Sequence, residues 1–290
     1  MFTIIGYVVV LGAVIGGFIL EGGPVAVLNQ TIEFLIIGGA AAGSLLAGTP
    51  TKVLAALFSK LKEAVTGSGY SKSDYMELFA MLYEVFSIMR KSGEMALEKD
   101  VDDPGKSEIF KKYPKFLANH GARGLMLDSL RLVISGSANA DELAHLMDEE
   151  IATHEEDGRR PAGVLGKTAD ALPGLGIVAA VLGVIIAMGS MDQGPEVIGH
   201  KIAAALVGTF LGILLCYGVL QPMVQKMELL LVEEEKYLEC IKTGILAYLH
   251  GAAPIIAVEY ARRVVFSSER PSALELENAC RGKKEQPANG

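Results

Sequence analysis

Residues 170–183 read DALPGLGIVAAVLG, and how this stretch is read decides the fold. A carboxylate, Asp170, and a proline, Pro173, stand ahead of an uncharged run rich in glycine, alanine and valine. Proline has no amide hydrogen, so it fits the first helical turn, where that hydrogen would lack an intrahelical partner. A carboxylate just ahead can cap that turn and favours the positive end of the helix dipole. A helix is therefore expected to begin here and to run uncharged from Ala171 to Met191. That length is enough to cross the hydrocarbon core of a bilayer, which takes about 20 mostly apolar residues.

Three further windows lack charge in the same way: Met1–Leu20, Phe34–Thr51 and Ile202–Gln225. The composition agrees, with 51% hydrophobic residues and a mean hydropathy of +0.37. Ordinary soluble domains reach about 45–50% apolar only when glycine is counted. A buried core helix competes with each transmembrane reading, most of all for the second window, the shortest. A cleaved signal peptide does not fit the N-terminus. It has no basic leader, and its apolar run exceeds the usual length of about 7–15 residues.

Lysine and arginine set the orientation. The loop from Glu21 to Glu33 has neither, and the loop from Gly189 to Lys201 has only Lys201. All others lie between Lys52 and Lys167 or after Gln225. Short loops rich in Lys and Arg stay cytoplasmic, which puts both termini and the long middle segment there. The expected fold is an all-α membrane protein with four transmembrane helices in two hairpins and a helical cytoplasmic domain between spans two and three. Its segments are a hairpin at 1–51, the cytoplasmic domain at 52–169, a second hairpin at 170–225, and a cytoplasmic helical extension at 226–290.

Helical spacing marks Leu78, Leu82, Val85, Phe86 and Met89 in the middle segment. It also marks Leu143, Leu146, Met147 and Ile151, behind a helix start at Asp141 and Glu142. The end, NACRGKKEQPANG, reads as a disordered tail. Arg90 and Glu98 sit eight residues apart, with Gly93 between them as a possible break; composition alone makes them part of a solvated face.

Little enzymatic chemistry is visible. The three cysteines are an odd number without ligand spacing and read as reduced thiols. The five histidines are scattered; His145 and His154 lie too far apart to form a ligand pair on one helix. Neither a cofactor nor an enzymatic reaction is indicated. A net charge of −8 gives no sign of nucleic-acid binding. The spans carry no ionisable group near their middles beyond Tyr7, Tyr217 and Cys216. Ion carriers usually display one, so the chain is either no ion carrier or half of one.

Small residues recur at Gly176, Ala180, Gly183 and Ala187, and at Ala204, Gly208, Gly212 and Cys216. That spacing lets membrane helices approach closely, either within this chain or against another. Thr209 is turned about 100° from the second stripe. Its hydroxyl either bonds its own i−4 carbonyl or faces a pore.

Several segments taken in order resemble the MotA family of flagellar stator membrane subunits, in the MotA/TolQ/ExbB proton channel superfamily. They are GYVVVLGAVIGGF, RKSGEMALEKDVDDPGKSEIFKKYP, LMDEEIATHE, DALPGLGIVAAVLGVI, VGTFLGILLCYG and IAVEYARRVVFSSERPSALELE. The last is specific, because the related ExbB and TolQ subunits lack it and have one fewer span. The resemblance implies a lipid-embedded homo-oligomer, a pentamer around two MotB helices. MotB would supply the membrane Asp and the cell-wall anchor. Ion flow across the inner membrane would turn the ring, which pushes the rotor protein FliG. It also implies rotor-facing charges at Arg90, Glu98 and Glu150, and an ion path and coupling set of Asp170, Pro173, Ala180, Thr209 and Pro222. Sodium-driven relatives carry a Thr where this chain has Ala180, so the translocated ion is expected to be H+. A sodium-driven stator, an ExbB/TolQ-like energiser and a membrane scaffold are the alternatives.

Overall fold

The computed structural model describes residues 2–67 and 69–280. Among them every regular element is helical, and four helices are long and apolar enough to cross a membrane. The chain divides into two compact units, Met1–Gly67 with Gly158–Leu229 and Ser68–Asp157 with Leu230–Gly290.

In the first unit, α1 (Phe2–Leu20) buries no residue within the chain. Tyr7 ties it down by donating its hydroxyl to the Val219 carbonyl at 3.0 Å. A 3-10 turn at Val25–Leu28 leads into α2 (Thr31–Gly48). α2 packs on α9 (Pro195–Ile213) through one stripe at four-residue spacing, Glu33, Ile37 and Ala41. The helix thus starts earlier than the charge-free window, and Glu33 belongs to a span and not to the preceding loop. Pro50 ends this segment and serves as the N-cap of the amphipathic α3 (Thr51–Thr66).

The second unit begins with α4 (Lys72–Ser92), followed by α5 (Glu98–Asp102), α6 (Pro114–Ala118) and α7 (His120–Ser135). Tyr75, Phe79, Leu82 and Phe86 of α4 are fully buried, as are Leu125, Met126 and Leu130 of α7. The expected α4 positions Leu78, Leu82, Val85, Phe86 and Met89 are all core residues.

The long helix α8 (Ala140–Met188) contains Pro161 and Pro173 in its interior. Asn139 and Glu142 form a reciprocal cap at its start: the Glu142 amide donates to Asn139 Oδ1 (2.9 Å), and the Asn139 amide donates to Glu142 Oε2 (3.1 Å). Leu143, Met147 and Ile151 are buried as expected, whereas Leu146 is exposed. The helix start expected at Asp170 and Pro173 does not occur. An interior proline costs a helix about 3 kcal/mol and leaves the i−4 carbonyl, here Ala169, without its donor. Close packing of Ala169, Leu172 and Gly176, all buried, keeps the helix going through the defect.

α9 (Pro195–Ile213) starts on a proline, continues through a π-helical stretch at Leu214–Leu220, and becomes α10 (Gln221–Leu249) without a break. The fourth span is therefore continuous with a helix beyond Gln225, as its length suggested. Pro222 follows the π stretch directly. Wider turns accommodate a residue that cannot donate to the carbonyl four back.

Two more helices, α11 (Pro254–Val264) and α12 (Ala273–Cys280), complete the second unit. α11 packs on α4, and Phe86 stacks on Tyr248 of α10 with ring centroids 5.0 Å apart. Glu259 takes two bonds from Arg262 (both 2.7 Å) and one from Arg263 (2.9 Å). Arg262 also donates to the Pro271 carbonyl at 2.8 Å, which fastens the connector before α12. Of the expected disordered tail, Asn278–Cys280 belong to α12, and the remainder lies outside the described residues.

The two arginines hold the Glu259 carboxyl at about 2, below its ordinary 4.5. A depressed carboxylate contributes stability above its unfolded value and loses it as pH falls through the folded one. Glu259→Gln is expected to cost on the order of 2 kcal/mol at neutral pH, because Arg262 stays largely buried with half its partners gone. Thermal melts of the purified protein should show that difference shrinking between about pH 4.5 and about pH 2.

Candidate functional site

The first unit's site is a wall of small residues where α8 meets α9. The approach is close enough to exclude side chains. A methyl group on Gly176 would lie 2.8 Å from the Gly208 carbonyl oxygen. On Gly183 it would lie 2.5 Å from Ala205 Cβ, and on Gly212 2.5 Å from the Leu172 carbonyl oxygen. These glycines are therefore spent on contact within the chain, which settles one of the two uses expected of the small-residue stripes. By contrast, Gly12, Gly16, Gly39 and Gly43 of α1 and α2 meet nothing within 4 Å.

The tight contact brings Ala180 and Thr209, from different helices, onto neighbouring turns. Both are half-buried. Gly176, one turn from Ala180, abuts Thr209, since its methyl would lie 3.2 Å from Thr209 Cα. Thr153 and Thr168 donate their hydroxyls to the carbonyls four residues back. The Thr209 hydroxyl makes no hydrogen bond among the described residues, so it is available to a ligand.

The coupling residues also cluster. Gln221 donates its side-chain amide to Asp170 Oδ1 at 2.7 Å. This bond joins the turn just before Pro173 in α8 to the residue just before Pro222, at the end of the π stretch. Asp170 does not cap a helix, since it lies in the middle of α8. Both proline defects thus sit beside one polar link.

Arg90 and Glu98 lie in the second unit on separate helices. Gly93, with φ +82°, ends α4 just after Arg90, and Glu98 opens α5. Both are exposed, and neither has an ion-pair partner among the described residues. Many neighbouring charges do have one: Lys112 with Glu84, Lys115 with Asp74, Lys242 with Asp148, and Lys72 with Glu275. Glu150 is exposed as well, but it leans on a neighbouring helix. Its carboxyl faces Gly124 of α7, and burial, then Asp128, raise it above the ordinary carboxylate range while His154 opposes.

Sequence reasoning missed Glu33. It stands one residue outside an uncharged window, yet it is only 8% exposed and its Oε2 has no hydrogen-bond partner. The signal was present as the four-residue spacing of Glu33, Ile37 and Ala41.

Four membrane-length helices, two of them locked together by small residues, define a multi-pass helical membrane protein. Residues 4–93 match the family Motility protein A N-terminal, and residues 117–239 match the MotA/TolQ/ExbB proton channel family. The chain is 44% identical over 284 residues to Motility protein A of Escherichia coli (strain K12), covering 98% of this chain and 96% of that protein. Its fold is similar to a chain in the structure of C. jejuni MotAB, with TM-score 0.78, 24% identity, and 93% and 98% of the two chains covered. It is also similar to a chain of the flagellar MotAB stator complex from Bacillus subtilis, with TM-score 0.72, 26% identity, and 89% and 92% covered. The chain belongs to the MotA/TolQ/ExbB proton channel family, on its motility protein A branch. It is a multi-pass membrane subunit of the flagellar stator.

Gly212→Ala is expected to destabilise the isolated chain by about 1–3 kcal/mol, because the methyl meets a backbone carbonyl that cannot yield. Gly43→Ala meets nothing and should leave the midpoint unchanged in the same detergent melt.

Proposed function

We propose that copies of this chain ring the membrane helices of a MotB-type partner, and that protons passing between them drive the ring against a FliG-type rotor. The observation that carries this reading is chemical. α8 and α9 form a wall with no carboxylate of their own in the membrane, yet with one hydroxyl, Thr209, left available. Such a wall needs a protonatable group from elsewhere, and a partner helix bearing an Asp supplies it. By resemblance the ring is a pentamer around a MotB dimer. Its membrane is the inner one, with both termini in the cytoplasm, which the distribution of Lys and Arg supports.

The ion in this reading is H+. Sodium must exchange its hydration shell for several oxygen ligands. Ala180 offers no side-chain oxygen beside Thr209, whereas a proton needs only a carboxylate and water. Motility is therefore expected to stop when the proton gradient is collapsed and to persist without a sodium gradient. The opposite result removes the proton assignment.

Asp170, Pro173 and Pro222 couple ion passage to bending, because both helices lack a backbone donor beside the Asp170–Gln221 bond. Pro173→Ala restores a donor to the Ala169 carbonyl and stiffens α8. The variant should assemble normally and melt higher, yet swim several-fold more slowly; wild-type swimming would return Pro173 to a merely structural role. Arg90 and Glu98, exposed and unpaired, face the rotor, with Glu150 as a third charge turned partly inward. Arg90→Glu should shrink swimming halos several-fold with unchanged membrane yield, and co-purification with the single-span partner should survive it.

A further inference from the structure

Glu33 is a buried ionisable group with no part in the wall described above. It heads the one stripe by which α2 packs on α9, and it is more than nine-tenths buried. A methyl placed on Gly208 would lie 2.8 Å from Glu33 Oε2, 3.1 Å from Ala179 Cβ and 3.5 Å from the Ala180 amide nitrogen. The carboxyl therefore sits where α2, α8 and α9 converge, one residue from both Ala180 and Thr209. Its depth follows from helix rise. Ala180 is eight residues inside the end of α8, about 12 Å at 1.5 Å per residue. Gly208 is thirteen residues into α9, about 20 Å.

No compensating charge is supplied. Gly174–Met188 of α8, Ile202–Ile213 of α9 and the Val25–Leu28 turn hold no titratable side chain, and Glu33 is the only one in α2. The next ionisable residues on α9 are His200 and Lys201, about two turns away, and Lys201 donates to the Ser190 hydroxyl. Beside the same elements lies a cavity of about 730 Å³ between α1, the turn and α9. Val27, Leu28, Val207 and Phe210 line it, and Glu21 is its one charged residue. An intramembrane carboxyl kept without an ion-pair or hydrogen-bond partner costs several kcal/mol, and residues of this kind characteristically mark ion pathways.

We propose that Glu33 is a second proton-binding residue of the ion path, supplied by this chain beside the carboxylate that its partner brings. The inference rests on the reading of the chain as a proton-channel wall. Uptake joins a proton from water to the Glu33 carboxylate and leaves a neutral carboxyl. Release restores the carboxylate and hands the proton, through water beside Thr209, to the partner's carboxylate. Each copy in the ring thereby holds a proton site next to the place where a partner's carboxylate passes.

The test uses the full complex with its single-span partner, reconstituted in vesicles with a pH-sensitive dye inside. Proton flux is measured across a range of external pH for wild type, Glu33→Gln and Glu33→Asp. Gln keeps the shape of the side chain but holds no exchangeable carboxyl proton. Its flux is expected to fall by roughly tenfold or more, and the inflection that Glu33 contributes to the flux–pH profile, beside that of the partner's carboxylate, is expected to vanish. Asp should retain the inflection at reduced flux. A uniform loss at every pH, with the inflection kept in Gln, would mean packing alone and overturn the proposal. Wild-type flux and profile in Gln would overturn it too. Should Gln fail to assemble, loss of the inflection in Asp overturns it, and retention supports it. A wild-type complex that carries no proton current sinks the channel reading itself, which separates that failure from one confined to Glu33.

Discussion

The contact between α8 and α9 is the constraint on which the rest of the structure depends. Lipid is as apolar as a side chain, so membrane helices gain nothing from hiding leucine from each other. They associate through close van der Waals fit, and here the fit is backbone against backbone at Gly176 and Gly212, with Gly183 against the Ala205 methyl. A Cβ at Gly176, Gly183 or Gly212 would separate the helices. Separation would pull Ala180 away from Thr209 and strip Glu33 of the pocket over Gly208. One spacing of small residues thus holds the wall together and buries the carboxyl behind it.

That rigidity makes the two proline defects more consequential. A helix pair locked by glycine contacts cannot bend where it is packed; it bends where its hydrogen-bond ladder is already broken. Pro173 breaks the ladder in α8, and the π stretch ahead of Pro222 loosens it in the continuous helix formed with α10. The Asp170–Gln221 bond ties the two weak points together. Both helices continue along the chain into the second unit. A strain entering at the wall therefore has a defined place to be taken up.

The spans and the α4 core were legible because their signals are local: uncharged length for the first and 3.6-residue periodicity for the second. What failed was the inference that a proline begins a helix. That rule describes the backbone alone, and burial of Ala169, Leu172 and Gly176 overrode it. Glu33 was lost for a related reason. A window that ends at the first charge must assign that charge to the loop, even where the helix runs on through it. The four-residue step from Glu33 to Ile37 and Ala41 marked the same face in the sequence, but only packing tells a buried face from a lipid-facing one. The Glu259–Arg262–Arg263 cluster was not singled out in the sequence. Its role depends on where the Pro271 carbonyl falls, and no periodicity encodes that.

The distribution of satisfied and unsatisfied charge then separates structural residues from residues that act on other molecules. Lysines such as Lys72, Lys112, Lys115 and Lys242 have partners in the second unit, and Glu259 is held by two arginines. Exposed pairs of this kind add little stability each, but they take those groups out of contention for an external partner. Arg90 and Glu98, free on either side of the Gly93 break, stay in contention. Glu33 inverts the argument inside the membrane. There, water cannot satisfy an unpaired carboxyl, so freedom is costly, and this is the ground on which Glu33 is assigned to the ion path.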